Sequence, residues 1–152
     1  MRTRKSWREK MVNPNLPKVV AIPPKMQKRL GTGTLLLPSP GDVDAAIRGI
    51  RKGTVKPVSK IRAELAVKFG TDAACPLVTG IFVRIAAEAA NEDARDGKSH
   101  ITPYWRVVRD DGSLNPKFPG GVEAQAERLR DEGVSVVKGV VEQASGLPRR
   151  RQ

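Results

Sequence analysis

The chain has 152 residues, with 28 Lys and Arg against 16 Asp and Glu, a formal charge of +12 and a pI near 10.5. That excess excludes an acidic solvating chain and points to a polyanionic partner, nucleic acid or an anionic membrane surface. Aromatic residues make up only 4%, which argues against a single-strand binder built on stacked bases, and one cysteine, Cys75, excludes an intramolecular disulfide and a Cys-rich zinc site. No apolar run approaches the roughly 18 residues of a membrane span. Met1 to Lys10 is charged with no apolar stretch behind it, unlike a secretory signal. The expectation is a cytoplasmic monomer with no metal, cofactor or membrane partner.

The charge is uneven. Met1 to Lys60 holds 14 Lys/Arg and 3 acids, a net of +11, while Ile61 to Gln152 holds 14 against 13. Six of the 12 prolines precede Gly41. Residues 1–37, with Arg2, Arg4, Arg8, Lys10, Lys18, Lys25 and Arg29, therefore read as a basic, proline-punctuated arm. It either packs over the domain or stays partly disordered, and it could dock on phosphates or serve only as a solubilising tail. Pro148 to Gln152 reads as a second basic tail within a C-terminal extension, residues 134–152.

A first helix is expected from Asp42 to about Arg51, its carboxylate at the positive helix end and Val43, Ala46, Ile47 and Ile50 at helical spacing. Thr54 to Val58 reads as an extended link. Ser59 is a plausible cap for a second helix carrying Ile61, Leu65 and Phe69 on one face and stopped by Gly70. A third begins near Asp72 or at Pro76 and reaches about Glu92, burying Val78, Ile81, Phe82, Ile85 and Ala89. Two helices joined by a tight glycine turn outline a helix-turn-helix, the second being the recognition helix. After a polar connection, Trp105 to Arg109 reads as a strand, Asp110-Asp111-Gly112 as a turn and Ser113-Leu114 as its return. A rigid loop from Asn115 to Gly121 leads to a fourth helix, Val122 to Glu132, ended by Gly133. Val134 to Ala144 reads as helix or strand. The fold class expected is mainly α with a small β-hairpin, a winged-helix-like helix-turn-helix domain over residues 38–133.

Pro103-Tyr104-Trp105-Arg106-Val107-Val108, then Asp111-Gly112-Ser113-Leu114, then Gly120-Gly121 and a helix with Gln125 and Leu129, resembles the signature of the O6-alkylguanine-DNA alkyltransferase family. Upstream, Pro57 to Ile61 sits where the family has Thr-Tyr-Gly-Glu-Ile, and Thr79-Gly80 falls in the stretch that forms its recognition helix. The likeness covers residues 38–133. It implies a duplex-DNA partner and a pocket for an extruded alkylguanine. In the family the nucleophile is the Cys of Pro-Cys-His-Arg, activated by the next His. Here Tyr104 and Trp105 stand at those positions. A phenol with pKa near 10 is only about 0.1% ionised at pH 7, so thiol alkylation has no acceptor there and no catalytic residue is assigned. The pattern is closest to the alkyltransferase-like proteins, which bind alkylated guanine without repairing it.

By the resemblance, Leu77, or Val78 with a one-residue slip, stands at the family's intercalating Arg, where an apolar wedge can unstack a base step. Arg84 is placed to reach a phosphate, Arg106 follows the pocket position as a DNA-binding residue held by the strand, Lys117 is placed to touch the backbone, and Gly120-Gly121 to lie beside the lesion pocket. Tyr104 and Trp105, read as strand residues, are expected to point to opposite sides, Tyr104 into the pocket with its hydroxyl outward. The function expected is non-catalytic DNA binding directed at O6-alkylguanine for DNA repair. Two alternatives are a methyltransferase acting through Cys75 or Tyr104, and a protein-interaction module with a filled pocket. Cys75 and the lone His100 read as structural and surface residues.

Overall fold

A computed structural model describes residues 5–142 of the protein. Arg2, Arg4, Ala144 and the tail from Pro148 to Gln152 lie outside the described residues. The expected arm is a built part of the fold. Helix α1 (Trp7–Lys10) is capped by Ser6 and lies along the last turns of a long helix, α5 (Pro76–Arg95). The Glu92 carboxylate accepts from the backbone N–H groups of Trp7 and Arg8 at 3.1 and 2.8 Å, and Arg8 pairs with Asp93. Strand β1 (Lys18–Ala21), helix α2 (Pro24–Leu30) and strand β2 (Thr34–Leu37) follow. Leu35 and Leu36 are completely buried, so the boundary at residue 37 cuts through the core. Composition hid this, because two leucines in a basic stretch are enough to seat a strand once a sheet partner is present.

Helix α3 (Pro40–Arg48) starts two residues earlier than expected and stops three earlier. Ser39 caps it: the Asp42 N–H donates to Ser39 Oγ at 3.0 Å and the Ser39 N–H to Asp42 Oδ2 at 2.9 Å, a reciprocal box. The link holds a two-residue strand, β3 (Lys56–Pro57). Helix α4 (Val58–Phe69) ends at Gly70 in the left-handed region, as its glycine predicts. Its start departs from expectation. Ser59 lies inside the helix, and its N–H donates to the Asp110 carboxylate at 3.0 Å, a cap supplied from 51 residues away. Strand β4 (Ala73–Ala74) lies in the turn before α5.

Helix α5 begins at Pro76, one of the two expected starts, and runs to Arg95. Most of its expected buried face holds: Phe82 and Ala89 are buried and Val78 and Ile85 are partly buried against the core, but Ile81 is 48% exposed, and Thr79, Val83, Ala86, Ala87 and Ala90 are buried as well. The small alanines leave room for α3 to pack against α5. A 3₁₀ turn (Tyr104–Arg106) and strand β5 (Val107–Val108) replace the expected five-residue strand. Strand β5 pairs in parallel with β3, not with Ser113-Leu114. Helix α6 (Gly121–Asp131) follows, with Glu132 at its C-cap. Strands β6 (Val136–Val137) and β7 (Val140–Val141) form the only hairpin among the described residues with a two-residue connection, and Ser113 bridges to Val140. The 134–142 segment thus belongs to the domain, with Val134, Val136 and Val141 buried.

The fold is mixed α/β, with six α-helices and three small sheets among the described residues, rather than mainly α. In the largest sheet β2 lies between β1, antiparallel, and β4, parallel. One core joins α3, α4, α5, the 3₁₀ turn and α6. Among the described residues no helix is long and apolar enough to cross a membrane.

Candidate nucleic-acid interface

The sequence-derived site residues separate into two groups. The first surrounds the 3₁₀ turn. Tyr104 and Trp105 are 4% and 8% exposed. Their rings meet edge to face with centroids 5.3 Å apart, and Phe118 meets Tyr104 in the same way at 5.5 Å. The expectation that they point to opposite sides, with Tyr104 presenting its hydroxyl in an open pocket, is corrected. It assumed strand alternation, and a 3₁₀ turn sends neighbouring side chains only about a third of a turn apart. Burial pushes the Tyr104 phenol above its ordinary value, more than the nearby Arg128 charge pulls it down.

Polar groups lock this turn. The Gln125 amide, itself buried, donates to the carbonyls of Trp105 and Val107 at 3.1 and 2.9 Å and accepts from the Asn115 N–H at 3.0 Å. Trp105 Nε1 donates to Glu132 at 3.1 Å. Arg106, read from sequence as a DNA-binding residue next to the pocket position, points inward. It donates to Glu132 at 2.7 and 3.0 Å and to the Ile50 carbonyl at 2.7 Å, with only 13% of its side chain exposed. Its reach toward a phosphate is therefore already taken. Gly120 starts α6 at φ +76°, where a Cβ would fall 2.5 Å from that of Ala124, so glycine is needed there for geometry alone. Gly121 also has positive φ, and Lys117 is exposed on the preceding loop.

The second group lies on the first three turns of α5. Leu77 is 66% exposed and Ile81 48%. Gly80 lies between them, with open space where a Cβ would be, and Arg84 is exposed one turn further. These four fall at i, i+3, i+4 and i+7, a single helical stripe. Leu77 is thus a surface residue of α5 and not a core leucine. Thr79 is corrected in the other direction: it is fully buried and its hydroxyl has no partner among the described residues. The Arg84 guanidinium lies 5.8 Å from the Trp7 ring, with the Lys10 ammonium 4.1 Å from it. Helix α1 thus adds a cation and an aromatic ring beside the stripe.

Sequence reasoning missed Ile81, Trp7, Glu132 and Arg128. Ile81 fits a core pattern as well as an exposed one, and no local signal ties Glu132 or Trp7 to partners 26 and 85 residues away. Cys75 is buried and free, at the N-cap of α5, away from the 3₁₀ turn. Among the described residues no group of three or more His, Cys, Asp and Glu is arranged to hold a metal ion. No family model, curated protein or solved structure matches the chain.

Proposed function

We propose that the protein is a non-enzymatic binder of duplex DNA, with α4 and α5 acting as a winged-helix-like helix-turn-helix and α5 as its recognition helix. The observation that carries this reading is the uncovered stripe of Leu77, Gly80, Ile81 and Arg84 on the helix that follows the Gly70 turn. Two exposed aliphatic side chains flanking a glycine form a narrow apolar ridge able to wedge between base steps in a minor groove. Arg84, Lys10 and the net charge of +12 supply phosphate contacts. The alkyltransferase-like sequence pattern supports the same partner.

Recognition of an alkylated guanine, as the resemblance implies, needs an extruded base to reach Tyr104. With that ring closed against Trp105 and Phe118, the binding is read as indifferent to the lesion. A protein-docking role is the second reading, favoured by the same exposed Leu77 and Ile81.

The test is a titration of the full chain with duplex DNA, with and without O6-alkylguanine, at two salt concentrations. Affinity is expected to fall at least tenfold between about 50 and 200 mM salt. Arg84→Gln should reduce the salt slope by about one. Leu77→Ala should weaken binding about tenfold through loss of the wedge, with no change in melting temperature because Leu77 is exposed. Lesion and plain duplexes should bind within about twofold, and a tenfold preference for the lesion would restore lesion recognition. A flat salt response would refute DNA binding and leave the protein-docking reading.

A further inference from the structure

A second concave site lies far from the α5 stripe. It has a volume of about 540 Å³ and is walled by the end of α3, the loop after α5, the 3₁₀ turn and α6. That size falls in the range of small-ligand sites. Arg48, Lys98, His100, Arg106 and Arg128 line it, and no carboxylate does. The acids lie behind the wall: Asp44 holds Arg48, Asp93 holds Lys98 and Glu132 holds Arg106. Arg48 and Lys98 remain exposed at the cavity rim beside those acids, while Arg106 is turned inward with its donors already taken.

Arg128 is different. It has no carboxylate within 4.0 Å among the described residues. Its guanidinium lies 4.5 Å from the centroid of Trp105, and that of Arg106 lies 5.7 Å from the same ring. Glu132 neutralises Arg106, so Arg128 is the cation on this ring with no counter-charge within salt-bridge reach among the described residues, which an anion in the cavity would supply. The free donors come from three separate elements, α3, the loop after α5 and α6, which suits a tetrahedral oxyanion better than a planar carboxylate, whose two oxygens a single guanidinium fork satisfies.

We infer that this cavity binds a phosphate group, with Arg128 as its principal cation and Arg48 and Lys98 closing over it from the rim. The inference does not depend on DNA binding by the α5 stripe. Leu77 and the cavity-lining Ala94 are 17 residues apart on α5, about 25 Å along the helix. The phosphate can come from a free phosphate ester or from a nucleic-acid backbone.

Calorimetric titration of the full chain with pyrophosphate and with adenosine 5′-monophosphate, in low-chloride buffer, tests the site. Saturable one-to-one binding is expected. Arg128→Gln should weaken it about tenfold, the usual scale for one charge-assisted hydrogen bond, and Lys98→Gln should weaken it in the same direction. Arg84→Gln, ten residues before Ala94 on α5 and outside the cavity lining, should leave it unchanged. Arg128 is exposed, so the variant should keep its fold, which circular dichroism verifies. Displacement of pyrophosphate by one equivalent of duplex DNA would identify the backbone as the source, and simultaneous binding would identify a free ester. Both results uphold the site. No saturable heat up to about 10 mM, or full affinity retained in folded Arg128→Gln, overturns it.

Discussion

Replacing Glu132 by Ala tests whether the 3₁₀ turn is locked as described. The Glu132 carboxylate accepts from Trp105 Nε1, from Arg106 Nε and Nη2, and from the Gly53 N–H, so it ties α6 to the turn and to the loop after α3. Its side chain is 8% exposed and that of Arg106 is 13%. Removing the acid leaves the guanidinium in place, still donating to the Ile50 carbonyl but with an uncompensated buried charge. Breaking one partner of a buried pair costs about 3–5 kcal/mol. At about 2–4 °C per kcal/mol for a chain of this length, the melting temperature should drop by roughly 6–20 °C. Urea unfolding followed by circular dichroism measures the loss directly. Glu132→Gln, which keeps size and an acceptor, should lose about half as much. Arg106→Met combined with Glu132→Leu should recover to within about 1 kcal/mol of the wild type, because a well-packed apolar pair replaces a buried ionic one at little net cost. Burial alone would raise the Glu132 pKa, but hydrogen bonds from Arg106, Trp105 and Gly53 and the Arg106 charge outweigh it and hold the carboxyl below its ordinary 4.5. The folded-state pKa is therefore below the unfolded one. The pair's contribution is full above about pH 4.5 and is lost as pH falls through the lower folded value. The acid limb of the stability curve should accordingly be shallower in Glu132→Gln. A loss below about 1 kcal/mol in Glu132→Ala would refute the locking role.

Tyr104→Ala should destabilise the fold by about 3–5 kcal/mol in a thermal or urea melt, as for any buried aromatic, whereas Tyr104→Phe should stay within about 1 kcal/mol. A stable Tyr104→Ala with altered DNA affinity would show instead that the ring occupies an open pocket. Arg8→Ala should cost about 1–3 kcal/mol, because Asp93, 8% exposed, is left with only Lys98 at 3.4 Å. Unchanged stability in that variant would mean that α1 contributes nothing to holding α5.

Much of the helical framework was legible because its signals are local. Gly70 stops α4 and Pro76 opens α5, each within one turn of the residue that decides it; the Ser39–Asp42 capping box is just as local, but a helix expected to start at Asp42 misses it. What could not be read depends on distant partners. Leu35 and Leu36 become strand β2 because Lys18 to Ala21 and Ala73-Ala74 pair on either side. Nothing within residues 1–37 names Ala73 as a neighbour. Val107-Val108 finds Lys56-Pro57 rather than Ser113-Leu114 for a similar reason. The Asp111 carboxylate takes the Ser113 N–H and hydroxyl, which bends that residue into its own tight turn, and the return segment then meets β7 instead.

The candidate site failed to read through in an instructive way. Tyr104 to Val108 has the aromatic and β-branched content of a strand, and as a strand it would aim one ring outward. The decisive residue is Gln125, whose amide gathers the carbonyls of Trp105 and Val107 and turns the backbone before the strand begins. Both rings then fall on the core side, where Phe118 completes the packing. On α5 the error runs the opposite way. Ile81 satisfies the core pattern with Phe82 and Ile85, yet it and Leu77 fall outside the face of Phe82, Val83 and the alanines that packs on the core. Burial of the two aromatics and exposure of the two aliphatics are therefore separate packing outcomes. Together they close the rings around the 3₁₀ turn and leave the apolar surface on the outer face of α5, where, on the reading proposed above, a duplex would need no extruded base to be held.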